Sequence, residues 1–179
     1  LQLFMIRLFL NVVLRSFFSV VLIVSPSLTM AQVIIPRAPD IAANSYVLLD
    51  AQTGQILVEE NADEPLPPAS LTKIMTAYIA IEEILNGNLE LTDKVHISEK
   101  AWRMEGSKMF VDVNSQVSVE DLLRGIIIQS GNDASVAISE HIAGSEEAFA
   151  DMMNQYSEVL GMKDSFFMNA SGLDTELYY

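Results

Sequence analysis

Between Ser70 and Asn86 apolar side chains dominate, and the stretch from Ile74 to Ile81 holds no charge. Pro67 and Pro68 cannot sit in a helix interior and Gly87 is a good stop, so the pattern predicts a helix over Ser70–Asn86. The uncharged middle implies burial on nearly all sides. Ser118 opens a second helix: it is a fair N-cap, Asp121 lies three residues on, and Leu122, Leu123, Ile126 and Ile127 follow. Ser130-Gly131 interrupts that helix, Asn132 is a natural N-cap for the next, and a third helix runs from about Asp133 to Ile142 before Gly144. A fourth covers Glu146 to Leu160, where Phe149, Met152, Met153, Tyr156 and Leu160 recur at helical spacing and read as core.

Earlier in the chain the period changes. Tyr46–Asp50 and Gln55–Glu59 are β-prone runs around Ala51-Gln52-Thr53-Gly54, a hairpin signal in which Gly54 can take positive φ. Asn61 to Pro68 is a polar, proline-rich loop. From Leu91 to Val117 the pattern is irregular, with short β-like pieces at Val95-His96-Ile97 and Met109-Phe110-Val111.

The first 31 residues follow another logic. Arg7 and Arg15 precede the apolar run Phe17–Val24, Ser25-Pro26 breaks it, and Thr29-Met30-Ala31 supplies small residues for cleavage after Ala31. This is the pattern of a secretory signal peptide over 1–31. A membrane span wants about 20 apolar residues, and extending this run backwards meets Arg15 and Asn11. Residues 32–43, with Pro36 and Pro39, read as an extended lead-in.

Half of the 179 residues are apolar, enough for a real core. Setting aside residues 1–31, which hold two basic residues and no acid, the other 8 basic and 24 acidic residues leave a net charge of −16. Nucleic acid is therefore not an expected partner, because phosphate binding needs a basic face. The absence of cysteine excludes disulfides, thiol catalysis and cysteine-ligated metal. His96 and His141 are the only histidines, far apart, and no metal-ligand spacing occurs, so neither metal nor cofactor is expected.

Two short motifs carry candidate chemistry. In Ser70-Leu71-Thr72-Lys73 the serine and lysine are three apart on a helix and share a face. A serine in a first turn also sits where unpaired N–H groups and the helix dipole favour developing negative charge. If the Lys73 ammonium enters the uncharged helix interior, desolvation favours its neutral amine, which can accept the Ser70 proton. In Ser130-Gly131-Asn132 the helix break lets a hydroxyl and an amide project into a cleft. Ser130 can pass a proton to a leaving amine, and Asn132 can bond a substrate amide and the Lys73 ammonium. Asp133 is explained by the helix dipole alone.

With these motifs in place, the chain resembles the low-molecular-mass penicillin-binding proteins, the D-alanyl-D-alanine carboxypeptidases of serine peptidase family S11. Leu49-Asp50-x-x-Thr53-Gly54, Pro68 through Thr76, Gly106-Ser107-x-Met109-Phe110, Ser118 through Ser135, and Gly161-Met162 through Asn169-x-x-Gly172-Leu173-Asp174 carry the likeness. The resemblance implies an α/β (α+β) transpeptidase-like fold over 44–179: an antiparallel sheet flanked by helices, with a helical lobe bearing the second motif.

It also implies that Ser70 attacks the carbonyl between two terminal D-alanines of a peptidoglycan pentapeptide. Lys73 would act as base, Ser130 as proton relay and Asn132 as a substrate-binding group. β-Lactams would inhibit by trapping Ser70. The family's Lys-Thr-Gly strand normally comes well after the second motif, and no Lys-Thr-Gly occurs here. The 179 residues are accordingly read as an N-terminal fragment, inactive alone. The parent is expected in the periplasm at the outer face of the inner membrane, with a C-terminal segment for membrane attachment.

Two rivals stay open, while a β-lactamase of the related kind is disfavoured because it resembles Ser-Asp-Asn rather than Ser-Gly-Asn and carries an extra glutamate loop that this sequence does not show. A D,D-endopeptidase of the same superfamily would share both motifs. A non-catalytic peptidoglycan-binding protein would keep only the fold.

Overall fold

The computed structural model describes residues 40–173, together with the isolated positions Met5 and Asn11. Apart from those two positions the expected signal peptide lies outside the described residues, as do most of the lead-in and Asp174 of the last motif. The chain divides into two compact units, one ending at Asn61 and the other beginning at Ala62.

The first unit carries the hairpin. Strands β1 (Tyr46–Leu49) and β2 (Ile56–Glu60) pair antiparallel from Tyr46 opposite Glu60, with an irregularity between Leu48 and Leu49. The turn is built by Asp50, whose Oδ1 accepts from the Gln52 and Thr53 amides and the Thr53 hydroxyl, and by Gly54 at φ +71°. Those bonds, the Thr53 hydroxyl foremost, hold the Asp50 carboxyl below its ordinary value.

The second unit is mostly helical. A 3-10 turn over Ala69–Leu71 leads into α1 (Thr72–Leu85), closed by Asn86 and by Gly87 at φ +77°. Then come β3 (Lys94–His96), α2 (Glu99–Arg103), β4 (Gln116–Ser118), α3 (Val119–Gln129), α4 (Asn132–Ala143) and α5 (Glu146–Val159). Three helices share one N-cap device: the hydroxyls of Ser98, Ser118 and Ser145 accept from the amides of Ala101, Asp121 and Ala148. β3 and β4 form a second two-stranded antiparallel ribbon. The fold is α+β as expected, but among the described residues the sheet is these two separate ribbons.

α4 lies at the centre and packs against α1, α2, α3 and α5. Residues 132–139 are buried without a gap, although the run is rich in small and polar side chains. Alanine lets neighbouring helices approach, and the two buried serines satisfy themselves: Ser135 Oγ donates to Gly131 O and Ser139 Oγ to Val136 O. One cluster around α4 joins Ala80, Ile97, Leu122 and Ile138, and another joins Met75, Ile79, Phe149 and Met153.

Three expectations need correction. α1 is not buried on nearly all sides: Leu71, Ile74, Ile81 and Leu85 form an exposed apolar stripe. Lack of charge says which side chains tolerate burial, not which neighbours cover them. Leu160 of the expected α5 core stripe is also exposed, at the C-cap just past Val159. Met109–Val111 is not a strand; its amides bond to a carboxylate instead of a neighbouring chain.

Candidate active site

Pro68 terminates the preceding loop, and its carbonyl accepts from the Leu71 amide to close the 3-10 turn. Ala69 is thereby held at φ +47°, uncommon for a residue with a Cβ. Ser70 stands exposed on this turn, and Lys73 follows in the first turn of α1, only 4% exposed. Lys73 Nζ donates to Ser70 Oγ at 3.1 Å and to the Ser171 carbonyl at 2.7 Å. Burial disfavours the ammonium and lowers the amine below its ordinary 10.5. The expected bond from Asn132 to Lys73 is replaced by the Ser171 carbonyl.

That carbonyl is presented by a side-chain-built turn. Asn169 Oδ1 accepts from the amides of Ser171 (3.0 Å) and Gly172 (2.6 Å), while Asn169 Nδ2 donates to Leu173 O. Gly172 has φ +70° and lies so close to α1 that a Cβ there would collide with Ala69 O and Thr72 Oγ1. Asn169-x-x-Gly172 thus has a physical role: it seats a carbonyl against Lys73. The spacing was visible in the sequence, but not its target.

The second motif is the joint between α3 and α4. Ser130 caps α3 in the left-handed region at φ +54°, and Gly131, not Asn132, occupies the N-cap position of α4. Asn132 is the first residue of α4; its amide donates to Ser107 O and its Nδ2 to Glu105 O, both at 2.7 Å. Ser107 Oγ returns a bond to Gln129 O. The joint and the 105–111 loop are therefore laced together.

Asp133 completes the lacing. Its buried carboxylate accepts from the amides of Met109 (3.0 Å), Phe110 (2.8 Å), Val111 (3.3 Å) and Ala134 (2.9 Å). The helix dipole alone does not account for it. Phe110 sits at φ +63° with its ring exposed, a costly backbone for a bulky residue that the carboxylate helps to hold.

A cavity of about 330 Å³ opens between these parts, lined by Ala69, Ser70, Gly106, Ser107, Asn132, Gly172 and Leu173. Ser70 and Asn132, from separate motifs, therefore face one space. Lys73 lies behind Ser70, and Ser130 is half-buried at the joint; neither belongs to the lining. His96 and His141 are exposed on β3 and α4, outside the cavity.

A model of the D-alanyl-D-alanine carboxypeptidase family (peptidase S11) matches residues 32–179. D-alanyl-D-alanine carboxypeptidase DacC of Escherichia coli (strain K12) is 44% identical over 144 residues, 77% of this chain and 36% of its own length. The crystal structure of penicillin binding protein 5 from Haemophilus influenzae superposes with a TM-score of 0.74 at 46% identity, over 78% of this chain and 41% of that one. A D-alanyl-D-alanine endopeptidase of Pseudomonas aeruginosa is more distant, 32% identical over 139 residues, 78% of this chain and 44% of its own. The chain thus spans little more than a third of the carboxypeptidase DacC.

Proposed function

The chain belongs to the D-alanyl-D-alanine carboxypeptidase family of serine peptidases, and from that premise we propose that its protein removes the terminal D-alanine of peptidoglycan stem peptides through an acyl-enzyme on Ser70. The observation that carries the reading is the Lys73 amine, buried, biased toward neutrality and 3.1 Å from the Ser70 hydroxyl. Such an amine is a competent base for an alcohol that has no histidine beside it.

In the proposed reaction Lys73 Nζ takes the Ser70 proton as Oγ bonds to the carbonyl carbon between the two D-alanines. The Ser70 backbone amide stabilises the tetrahedral oxyanion, a contribution usually worth about 3–4 kcal/mol. Collapse breaks the C–N bond, Ser130 passes a proton to the leaving D-alanine amine, and Asn132 holds the peptide. Water then hydrolyses the ester, and Ser70 regains its proton. β-Lactams would acylate the same oxygen, a reading supported by the similarity to a penicillin binding protein.

Carboxypeptidase is favoured over endopeptidase because the carboxypeptidase relatives share more identity with this chain. Export to the periplasm, with attachment at the outer face of the inner membrane, is part of the same proposal. It rests on the charge and apolar pattern of residues 1–31 and on the substrate class.

The test is labelling of the full-length protein by fluorescent penicillin, with D-alanine release from a pentapeptide measured in parallel. Labelling abolished by Ser70→Ala, together with D-alanine release by the parent, supports the proposal. No labelling of the parent would overturn it in favour of a non-catalytic wall-binding protein.

A further inference from the structure

Glu146 is the first residue of α5 and is 7% exposed, an unusual place for a carboxylate. One oxygen, Oε1, accepts from the Ala170 amide at 3.1 Å. The other, Oε2, lies 3.0 Å from Lys100 Nζ of α2, which also bonds Glu147. The charge is therefore compensated, and one of its two oxygens is committed to backbone.

That backbone leads directly to the amine. The Ala170 carbonyl accepts from Thr76 Oγ1 at 2.7 Å, and the next carbonyl, Ser171 O, accepts from Lys73 Nζ at 2.7 Å. Lys73 and Thr76 are one turn apart on α1, so two successive carbonyls dock on successive positions of one helix face. Ala170 and Ser171 are both buried. Ala170 itself has two anchors, the Thr76 hydroxyl at its carbonyl and the Glu146 carboxylate at its amide, beside the Asn169 side chain that holds the Ser171 and Gly172 amides.

We propose that Glu146 is a positioning residue for Lys73: it anchors the Ala170–Ser171 backbone so that the Ser171 carbonyl holds the amine against Ser70. The inference rests on the reading of Lys73 as the base. Losing the anchor would free the Ser171 carbonyl. The amine would lose its orientation toward Ser70, and the ammonium would lose an acceptor it needs more than the neutral amine does.

Other charges do not substitute. Among the described residues no carboxylate pairs with Lys73. On the elements packed against α1, Glu120, Asp121 and Arg124 of α3, His141 of α4, and Glu147, Asp151 and Glu158 of α5 are exposed. Glu140 is half-buried near the C-terminal end of α4, Asp133 is engaged by the 109–111 amides, and Glu82 and Glu83 of α1 lie more than two turns past Lys73.

The experiment follows the pH dependence of fluorescent-penicillin acylation in the full-length protein and in Glu146→Ala, Glu146→Gln and Thr76→Val. Glu146→Ala is expected to lower the maximal rate about tenfold or more, as small misplacements of reacting groups do, and to move the acid midpoint to lower pH. Glu146→Gln keeps an acceptor for the Ala170 amide and retains the parent midpoint. Thr76→Val unties the other anchor at nearly constant volume and shifts the midpoint in the same direction, so it decides the matter if Glu146→Ala does not fold. A folded Glu146→Ala or Thr76→Val with the parent midpoint overturns the proposal, because loss of stability alone lowers the active fraction without moving it. Titration of the Lys73 amine by NMR reads the same shift without a substrate. Failure of the parent to acylate would therefore count against the base reading, while the titration still decides whether Glu146 positions the amine.

Discussion

Lys73 Nζ bonds Ser70 Oγ, three residues back, and Ser171 O, 98 residues ahead. The first contact follows from helix geometry; the second exists only because the chain returns to α1 after α5. Together they hold a buried amine in line with an exposed hydroxyl, and burial pushes that amine toward its neutral form.

Acylation should therefore rise with pH through a Lys73 midpoint below 10.5. The unfolded chain binds this proton more tightly, so stability should also rise with pH between the folded and unfolded values. Lys73→Met should slow penicillin labelling by about 10²–10⁴-fold, the usual range for a lost general base. Rates and urea midpoints measured between neutral and alkaline pH check both signs. A rate with no dependence on pH there would contradict the neutral-amine requirement.

Asp133 accepts four backbone amides from a buried position. Asp133→Ala leaves them without an acceptor and should cost about 3–4 kcal/mol, at the high end for a single substitution. Asp133→Asn, which keeps one acceptor oxygen, should cost about 2 kcal/mol. Urea denaturation measures the loss, and hydrogen exchange should localise it to Met109, Phe110 and Val111.

Gly172→Ala and Gly87→Ala form a matched pair. Both glycines have positive φ, but nothing lies within 4 Å of a Cβ at Gly87, whereas at Gly172 it meets Ala69 and Thr72. Gly87→Ala should cost about 1 kcal/mol for backbone conformation alone. Gly172→Ala should cost at least about 2 kcal/mol more, from the steric conflict, and should reduce labelling, since the collision falls beside Ser70. Equal losses in the two variants would show that the Gly172 segment adjusts.

Glu147 should titrate at about 2, its hydrogen bond to Lys100 being the largest cause. A depressed carboxylate contributes stability above its unfolded value near 4.5 and loses it as pH falls toward 2. Glu147 is 77% exposed, so solvent screening keeps that contribution small. NMR titration of Glu147 in Lys100→Met should show a return toward 4.5. An unchanged value would remove Lys100 as the cause.

Much of the architecture was legible because its signals are local. The Ser118–Asp121 capping pattern, the Asp50–Gly54 turn and the Gly144 stop each act within a few residues and occur where expected, whereas α1 begins at Thr72, behind a 3-10 turn that carries Ser70. β4 and α2 leave no signal because three and five residues show no period, and Gln116-Val117-Ser118 lacks the pair of β-branched residues that marks Val95-His96-Ile97 at β3. Asp133 was misjudged for a related reason. A carboxylate at a helix start looks the same whether it faces water or collects amides from a loop more than twenty residues earlier.

By itself, the sequence determined the four long helices, the hairpin, the Ser70–Lys73 spacing and the family, because period, capping and motif order depend on neighbours along the chain. Tertiary structure alone decided that Ser70 and Asn132 share one cavity, that Ser171 rather than Asn132 holds the Lys73 amine, and that Glu146 and Asp133 brace the backbone around them. Those contacts join residues far apart in sequence. They depend on how closely helices pack and on which carbonyls are left to accept, and no local pattern records either.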